Sequence, residues 1–283
     1  MKKQIVTIAA LAMSLNMFAQ QWPVPNQEAK PGTRWWWLGS AVTENDLKWN
    51  LRQFADHGIG AIEITPIYGV QGNEKNNIPF LSPRYMDILK YVNAECKADG
   101  IEFDMATGTG WPFGGPWVPL DESASQMLII DTTVVGKKIK ALDLRPIEKK
   151  RKNTTLVGIY AFSEGKFLKI TTPLVEGTLT TKLPSKGTWR IIALYQKKGV
   201  MAVKRAAPGG AGLVIDHFDK QAVTNYLKHI EEAFEKTGTP YPHTFFNDSY
   251  EVSESDYTPT LFQEFYNRRG YSLEENFDKL VDG

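Results

Sequence analysis

Cysteine is all but missing from this chain: Cys96 is the single one in 283 residues. An intramolecular disulfide is thereby excluded, and so is a zinc site built on cysteines. Histidine is sparse too. The four, at positions 57, 217, 229 and 243, form no metal-binding pair at helical spacing. Neither sign of charge dominates, since 33 basic residues oppose 32 acidic ones for a net +1. No basic stretch is interleaved with stacking aromatics, which removes nucleic acid from the expected partners. The run Thr107-Gly108-Thr109-Gly110 lacks the lysine of a phosphate loop and the third glycine of a dinucleotide fingerprint. Ser249 sits in Asp-Ser-Tyr rather than in a Gly-x-Ser-x-Gly elbow, so a serine-hydrolase site is not indicated.

What is present is an aromatic-rich globular composition, 42% hydrophobic with eight tryptophans. One long apolar run stands out, Ile5 to Phe18, preceded by Met1-Lys2-Lys3 and followed by Ala19-Gln20-Gln21. That is the plan of a secretory signal peptide over residues 1–20, too short for a comfortable membrane span. No cysteine follows it, so a lipid anchor is not indicated. The expectation is a near-neutral, secreted or periplasmic chain with no membrane contact after cleavage. Cys96 shares a predicted helical face with Tyr85, Ile88, Leu89 and Val92, and reads as a buried structural thiol.

From Arg34 onward short apolar runs alternate with helical periodicity. Arg34-Trp35-Trp36-Trp37-Leu38-Gly39 reads as a strand buried on both faces. Thr43 caps a helix with Leu47, Leu51, Phe54 and Ala55 at helical spacing, stopped by Gly58. A second strand follows at 61–65, a helix opened by Ser82-Pro83 and stopped by Gly100, then a third strand at 101–106. Tight connections before each strand and long loops after it favour a parallel barrel whose site is built from those loops. The pattern breaks after Gly110. Runs at 127–130, 132–135, 156–162, 167–171 and 189–195 have the period of β-structure, with Lys149 to Asn153 as a solvated hairpin tip. Helical spacing returns from Ala222 to Phe234, an apolar strand leads through Phe245-Phe246, and Leu261, Phe262, Phe265 and Tyr266 form another helical face.

The expected fold class is therefore α/β: a partial (β/α)8 TIM-type barrel of four βα units, interrupted by an inserted all-β, sandwich-like domain. Residues 21–125 would form the first part of the barrel, 126–204 the insertion and 205–283 the barrel's continuation. Four strands are half of such a barrel, so the chain reads as the N-terminal part of a longer protein.

The strand ends carry the chemistry. Strand two holds Glu63, strand three holds Asp104 and runs into Thr107 and Trp111, and strand four delivers Asp248 and Glu251. Aromatic faces pack on the C–H faces of sugar rings, and a carboxyl pair cleaves glycosidic bonds. Trp36 and Trp111 would supply an apolar wall. Each residue also has a plainer reading. Trp35 and Trp37 could be core, Glu63 or Asp104 a structural acid paired with Arg34, and Glu251 part of a solvated loop with Glu254 and Asp256.

Trp35-Trp36-Trp37 with Gly39, GIGAIEI at 58–64, GTGWPFGGPW at 108–117, VKRAAPGG at 203–210 with GLVIDHF after it, and FFNDSYEV followed by FQEFYNRRGY resemble glycoside hydrolase family 106. These are bacterial α-L-rhamnosidases, typical of Bacteroidetes that degrade pectin. The resemblance implies a catalytic barrel with β-sandwich decoration, inverting hydrolysis by two glutamates, and a calcium ion near the sugar. By position, Glu251 would be the general acid. Trp36, Glu63, Asp104, Thr107, Trp111 and Asp248 would line the pocket for a rhamnose-containing glycan. The Lys204-Arg205 segment would return the chain to the barrel. The catalytic base would lie far downstream, beyond Gly283, leaving this polypeptide inactive by itself. A non-catalytic carbohydrate-binding barrel and a barrel glycosidase for a different sugar remain the alternatives.

Overall fold

A computed structural model describes residues 25–248 and 250–283. The signal peptide expected over residues 1–20 and Ser249 lie outside the described residues. Among the described residues no helix is long and apolar enough to cross a membrane.

The first half alternates as its sequence predicts: β1 Gly32–Leu38, α1 Glu44–Asp56, β2 Ala61–Ile67, α2 Pro83–Asp99 and β3 Glu102–Ala106. Local chemistry sets the ends. Thr43 accepts a hydrogen bond from the Asp46 amide at the start of α1, and Ser82 does the same for Tyr85 at the start of α2. Gly100 closes α2 in the left-handed conformation. β1, β2 and β3 pair in parallel register.

Alternation along these strands sorts the side chains onto two faces. Trp37, Ile62, Ile64, Phe103 and Met105, with Trp35 packed against them, join α2 residues Tyr85, Ile88, Leu89, Val92 and Cys96 in one buried core. Burial pushes the Cys96 thiol up to about 12. The opposite face carries Arg34, Trp36, Glu63 and Asp104. The strand through Trp35-Trp36-Trp37 is thus buried on one face only, and Trp36 and Leu38 are each 41% exposed. An unbroken aromatic run hides this asymmetry, because tryptophan suits a sugar-binding wall as well as a core.

The middle of the chain is antiparallel. After the two-residue β4 Gly114–Gly115 come β5 Ser125–Val135, β6 Lys138–Asp143, β7 Thr154–Ser163, β8 Lys166–Ile170, β9 Thr178–Lys182 and β10 Thr188–Lys198. A four-stranded sheet has the order β5-β10-β7-β8, and β6 pairs with β9 as a separate ribbon. Leu144, Leu179, Ile191, Ala193 and Trp189 fill the core on one face of the sheet. The runs at 127–130 and 132–135 form one continuous strand. β6 and β9 escaped the sequence reading because lysines and threonines dilute their apolar alternation.

The chain returns through β11 Leu213–Val214, which pairs with β4, to α3 Lys220–Thr237, capped by Asp219 and closed by left-handed Gly238. β12 is only Phe245–Phe246 and extends the parallel sheet beyond β3, giving the order β1-β2-β3-β12. The sheet is open, and no closed barrel is present among the described residues. The last helices, α4 Leu261–Arg269 and α5 Phe277–Asp282, turn elsewhere. Leu261, Phe262 and Phe265 pack with Tyr257, Leu273 and Phe277 against Tyr160, Phe162, Ile192 and Leu194 of the antiparallel sheet. The helical face expected at 261–266 is real, but its partner is the antiparallel sheet, a choice that periodicity does not encode. Tyr160 Oη donates to Glu274 at 3.0 Å, and Arg190 pairs with Asp131 at 2.7 Å and Asp282 at 2.8 Å.

Candidate active site

The polar face of the parallel sheet is organised by register. Arg34, Glu63 and Asp104 occupy neighbouring positions on β1, β2 and β3. Arg34 Nε lies 3.2 Å from Glu63 Oε1, and Thr65 Oγ1 donates to that same oxygen at 2.8 Å. The other end of the guanidinium reaches Asp248 Oδ1 at 3.5 Å. Two aromatic rings flank the cation, Phe246 at 4.9 Å and Trp36 at 5.8 Å from their centroids. Asp104 does not pair with Arg34. Its Oδ1 accepts the Thr244 amide at 2.7 Å and lies 3.3 Å from His243 Nδ1. These groups stand midway along the strands and form a floor, with a cavity of about 210 Å³ beside Arg34, Glu63 and Asp104.

Above the floor is an aromatic wall. Trp36 meets Trp111 edge to face with centroids 6.0 Å apart. Trp111 is held in place by the returning chain: its amide donates to the Lys204 carbonyl at 3.0 Å, and the Lys204 amide donates back at 2.9 Å. Gly110 makes this approach feasible, because its φ is +57° and a Cβ there would collide with the Lys204 carbonyl oxygen. The Arg205 carbonyl accepts the Tyr68 amide at 3.0 Å, so the segment expected to return over the site is pinned on both sides.

Glu251 stands apart from the floor. The Val252 amide donates to the Tyr250 carbonyl at 2.6 Å, which makes a three-residue turn with Glu251 at its centre. The Glu251 side chain is exposed and makes no hydrogen bond or ion pair among the described residues. Tyr250 packs edge-on against His217, with centroids 5.0 Å apart. The chain thus links the floor, through Asp248, to His217, through Tyr250, with Glu251 in between.

Of the sequence candidates, Glu63, Asp248, Trp36 and Trp111 gather around Arg34, with Asp104 alongside. Thr107 is buried, its hydroxyl donating to the Phe246 carbonyl at 3.3 Å, and so it ties β3 to β12. Three residues of the site are given no pocket role by the sequence: Arg34, read only as a partner for an acid, and Asp216 and His217, which lie inside the GLVIDHF stretch. Asp216 is buried beneath the start of α3, and its Oδ1 accepts the Phe218 amide at 3.0 Å. Burial pushes its carboxyl above the usual range and holds the His217 imidazole below its own. The available signal was the placement of Ile215-Asp216-His217 between an apolar run and a helix cap.

Calcium does not fit this donor set. The ion takes six to eight oxygens, whereas Glu63 and Asp248 face Arg34 and Asp104 faces His243 and the Thr244 amide. Glu102 and Asp104 both approach His243 Nδ1, at 3.6 Å and 3.3 Å, but among the described residues no group of three acidic, cysteine or histidine side chains is arranged to hold a metal ion.

The chain is similar to two longer proteins. It is 26% identical over 295 residues to a protein of Formosa agariphila named "Putative beta-glucuronidase", covering 88% of this chain and 25% of that one. It superposes on the structure of a rhamnosidase from Novosphingobium sp. PP1Y with a TM-score of 0.63 at 15% identity, covering 91% of this chain and 42% of the other. At that identity the likeness speaks to fold alone, and it agrees with the mixed α/β architecture. The chain thus spans about a quarter and under half of the lengths of these two proteins. The family model of glycoside hydrolase family 106, described as alpha-L-rhamnosidase, matches residues 23–156 and 148–280. With nearly all of residues 25–283 inside those two stretches, the chain belongs to glycoside hydrolase family 106.

Proposed function

We propose that this chain supplies the acid half of the active site of a secreted, inverting glycoside hydrolase that removes terminal α-L-rhamnosyl residues from a plant glycan. The observation that carries the reading is the polar face of the parallel sheet. A parallel sheet ordinarily has apolar cover on both faces. Here one face bears Arg34, Glu63, Asp104 and Asp248 beneath two tryptophans, a surface suited to sugar hydroxyls and C–H faces.

In this reading residues 21–125 and 205–283 are the first part of a (β/α)8 barrel and residues 126–204 an inserted β domain. The open β12 edge is where further strands of the longer protein would add. Glu251, exposed and free of ion pairs among the described residues, protonates the glycosidic oxygen. An inverting enzyme needs a second carboxylate about 6.5–9.5 Å away, with room for water. Glu63, Asp104 and Asp248 are already engaged by Arg34, His243 and Thr244, so we assign them to sugar binding and place the base elsewhere in the protein. Calcium, carried by family resemblance only, would have to find its oxygens there as well. A cleavable signal over residues 1–20 would take the protein to the periplasm or beyond.

A second reading is a different sugar. The Formosa relative's name and the guanidinium on the floor both suit a uronate carboxylate. The test is to assay the full-length protein on a matched panel containing aryl α-L-rhamnoside and aryl β-D-glucuronide. Turnover of the rhamnoside alone supports the first reading and turnover of the glucuronide alone the second. Binding of either sugar without turnover would support a non-catalytic carbohydrate-binding protein.

A further inference from the structure

The antiparallel region from β5 to β10 differs in charge from everything around it. Residues 125–198 hold 15 basic and 5 acidic side chains, a net of +10, which leaves the rest of the chain at −9. Such an asymmetry within a near-neutral chain concentrates positive potential on one unit and points to an anionic partner. Few of these cations are neutralised by the protein itself. Arg145 pairs with Asp143, Lys169 with Glu274 and Arg190 with Asp131.

The remaining charge gathers on the ribbon of β6 and β9. Ile139, Leu142 and Leu179 turn inward to the core, while Lys138, Lys140, Thr180 and Lys182 are exposed. Lys138 and Lys182 stand directly opposite each other in the antiparallel register, an arrangement that destabilises a strand pair. The backbone brings two more exposed lysines to the same end. The Leu183 amide donates to the Lys137 carbonyl at 2.8 Å, and the Gly136 amide to the Gly187 carbonyl, beside Lys186, at 2.9 Å. No acidic residue occurs in 132–142 or in 177–189. None of the five lysines joins an ion pair among the described residues. Lysine often guards an exposed strand edge, but a guard requires neither opposed lysines nor the exclusion of every nearby acid.

We infer that the lysine face of the β6–β9 ribbon binds an acidic polysaccharide, through the carboxylates or sulfate esters carried on successive sugars. Lysine is a hydrated point charge on a flexible stem, which suits a run of anions better than one oriented group. The outward residues of the ribbon include no aromatic ring, so nucleic-acid bases would find no stacking platform there. Membership of a glycoside hydrolase family makes carbohydrate the polymer this surface meets. The inference goes beyond the reaction proposed above and uses neither Glu251 nor the identity of the cleaved sugar.

Biolayer interferometry of the full-length protein on immobilised alginate, dextran sulfate and neutral dextran tests it. Binding is expected to one or both acidic polymers and not to dextran, weakening steeply between about 50 and 300 mM salt. Alginate alone would assign the surface to carboxylates, and dextran sulfate alone to sulfate esters. Lys138→Thr with Lys140→Thr and Lys182→Thr is expected to weaken binding about tenfold or more. Lys149→Thr with Lys150→Thr and Lys152→Thr removes the same charge at the other end of β10, where the Lys198 amide donates to the Asn153 carbonyl. The 11 residues of β10 span roughly 36 Å. That is several times the Debye length of about 10 Å at 0.1 M salt, so this loss should stay under about threefold. Lys182→Glu replaces the opposed lysines by a cross-strand ion pair. Its thermal midpoint should at least match the wild type while binding weakens, which separates binding from folding. Equal losses in the two triple variants would overturn the inference. So would a lack of binding to either acidic polymer, or tighter binding to a DNA duplex or phosphatidylserine vesicles than to both. Binding is read without turnover, so a protein that cleaves no rhamnoside leaves this test intact.

Discussion

Arg34 and Glu63 occupy paired positions of two parallel strands, with the guanidinium Nε 3.2 Å from the carboxylate. The pair is partly screened, the side chains being 28% and 17% exposed, and Asp248 shares the same cation. Arg34→Met leaves two carboxylates facing an apolar stem. The expected cost is about 1–2 kcal/mol at neutral pH, between an exposed ion pair and a charge-assisted buried bond. Urea unfolding measures it. Adding Glu63→Gln to Arg34→Met should recover part of the loss, and strictly additive losses would show that the two residues do not interact.

The proposed acid can be tested by leaving group. Glu251→Gln in the full-length protein should fold normally, since the side chain is exposed and unpaired among the described residues. Its kcat on a glycoside with a poor leaving group is expected to fall by about 10²–10⁴-fold. The loss should shrink sharply on a dinitrophenyl glycoside, which departs without a proton. An equal loss on both would assign Glu251 another role.

Asp216 gives a pH dependence with a definite sign. Burial raises its carboxyl pKa in the folded state, so the native protein binds this proton more tightly than the unfolded chain. The associated stability is present at pH below the unfolded carboxyl value and is lost as pH rises through the folded one. Asp216→Asn retains an acceptor for the Phe218 amide and carries no charge at any pH. Its thermal midpoint should exceed that of the wild type at pH 7, with the gap narrowing toward pH 4. A gap that widens on acidification would contradict the assignment.

Gly110 joins two constraints, a left-handed φ of +57° and contact with the Lys204 carbonyl. Gly110→Ala is expected to cost at least 1–2 kcal/mol, roughly, from backbone strain alone, and more from the collision. Because the strand pair it disturbs holds Trp111, intrinsic tryptophan fluorescence should change with the loss in stability. A variant as stable as the wild type would mean that the Lys204 segment is not packed on this turn.

Much of this was legible from the residues, and the remainder fails for identifiable reasons. Thr43, Ser82-Pro83 and Gly100 announced the helix ends because capping is local. The core of α2 was readable from the spacing of Tyr85, Ile88, Leu89, Val92 and Cys96. The core reading of Trp35 and Trp37 holds, but the strand was expected to be buried on both faces, since alternation is invisible in a run of one residue type. Arg34 was visible as a partner but not as the hub of four side chains, because strand register sets its pairing with Glu63 and Asp248 reaches it across a separation of 214 positions. Asp104 went to Thr244 and His243 for the same reason. Thr107 looked like a pocket hydroxyl, yet its proximity to the Phe246 carbonyl, a long-range fact, turns it inward.

The seating of Leu261, Phe262, Phe265 and Phe277 on the antiparallel sheet bears on how this chain can be cut and grafted. An insertion whose two ends lie close together is often a removable cassette, exchangeable without harm to its host. Here the segment that follows the site closes over the aromatic face of the antiparallel sheet, so excising residues 126–204 would strand Phe277 and its neighbours in water. Homologues that shorten or swap this region should therefore change the helices after Asp248 in step with it, and chimaeras should exchange the two together.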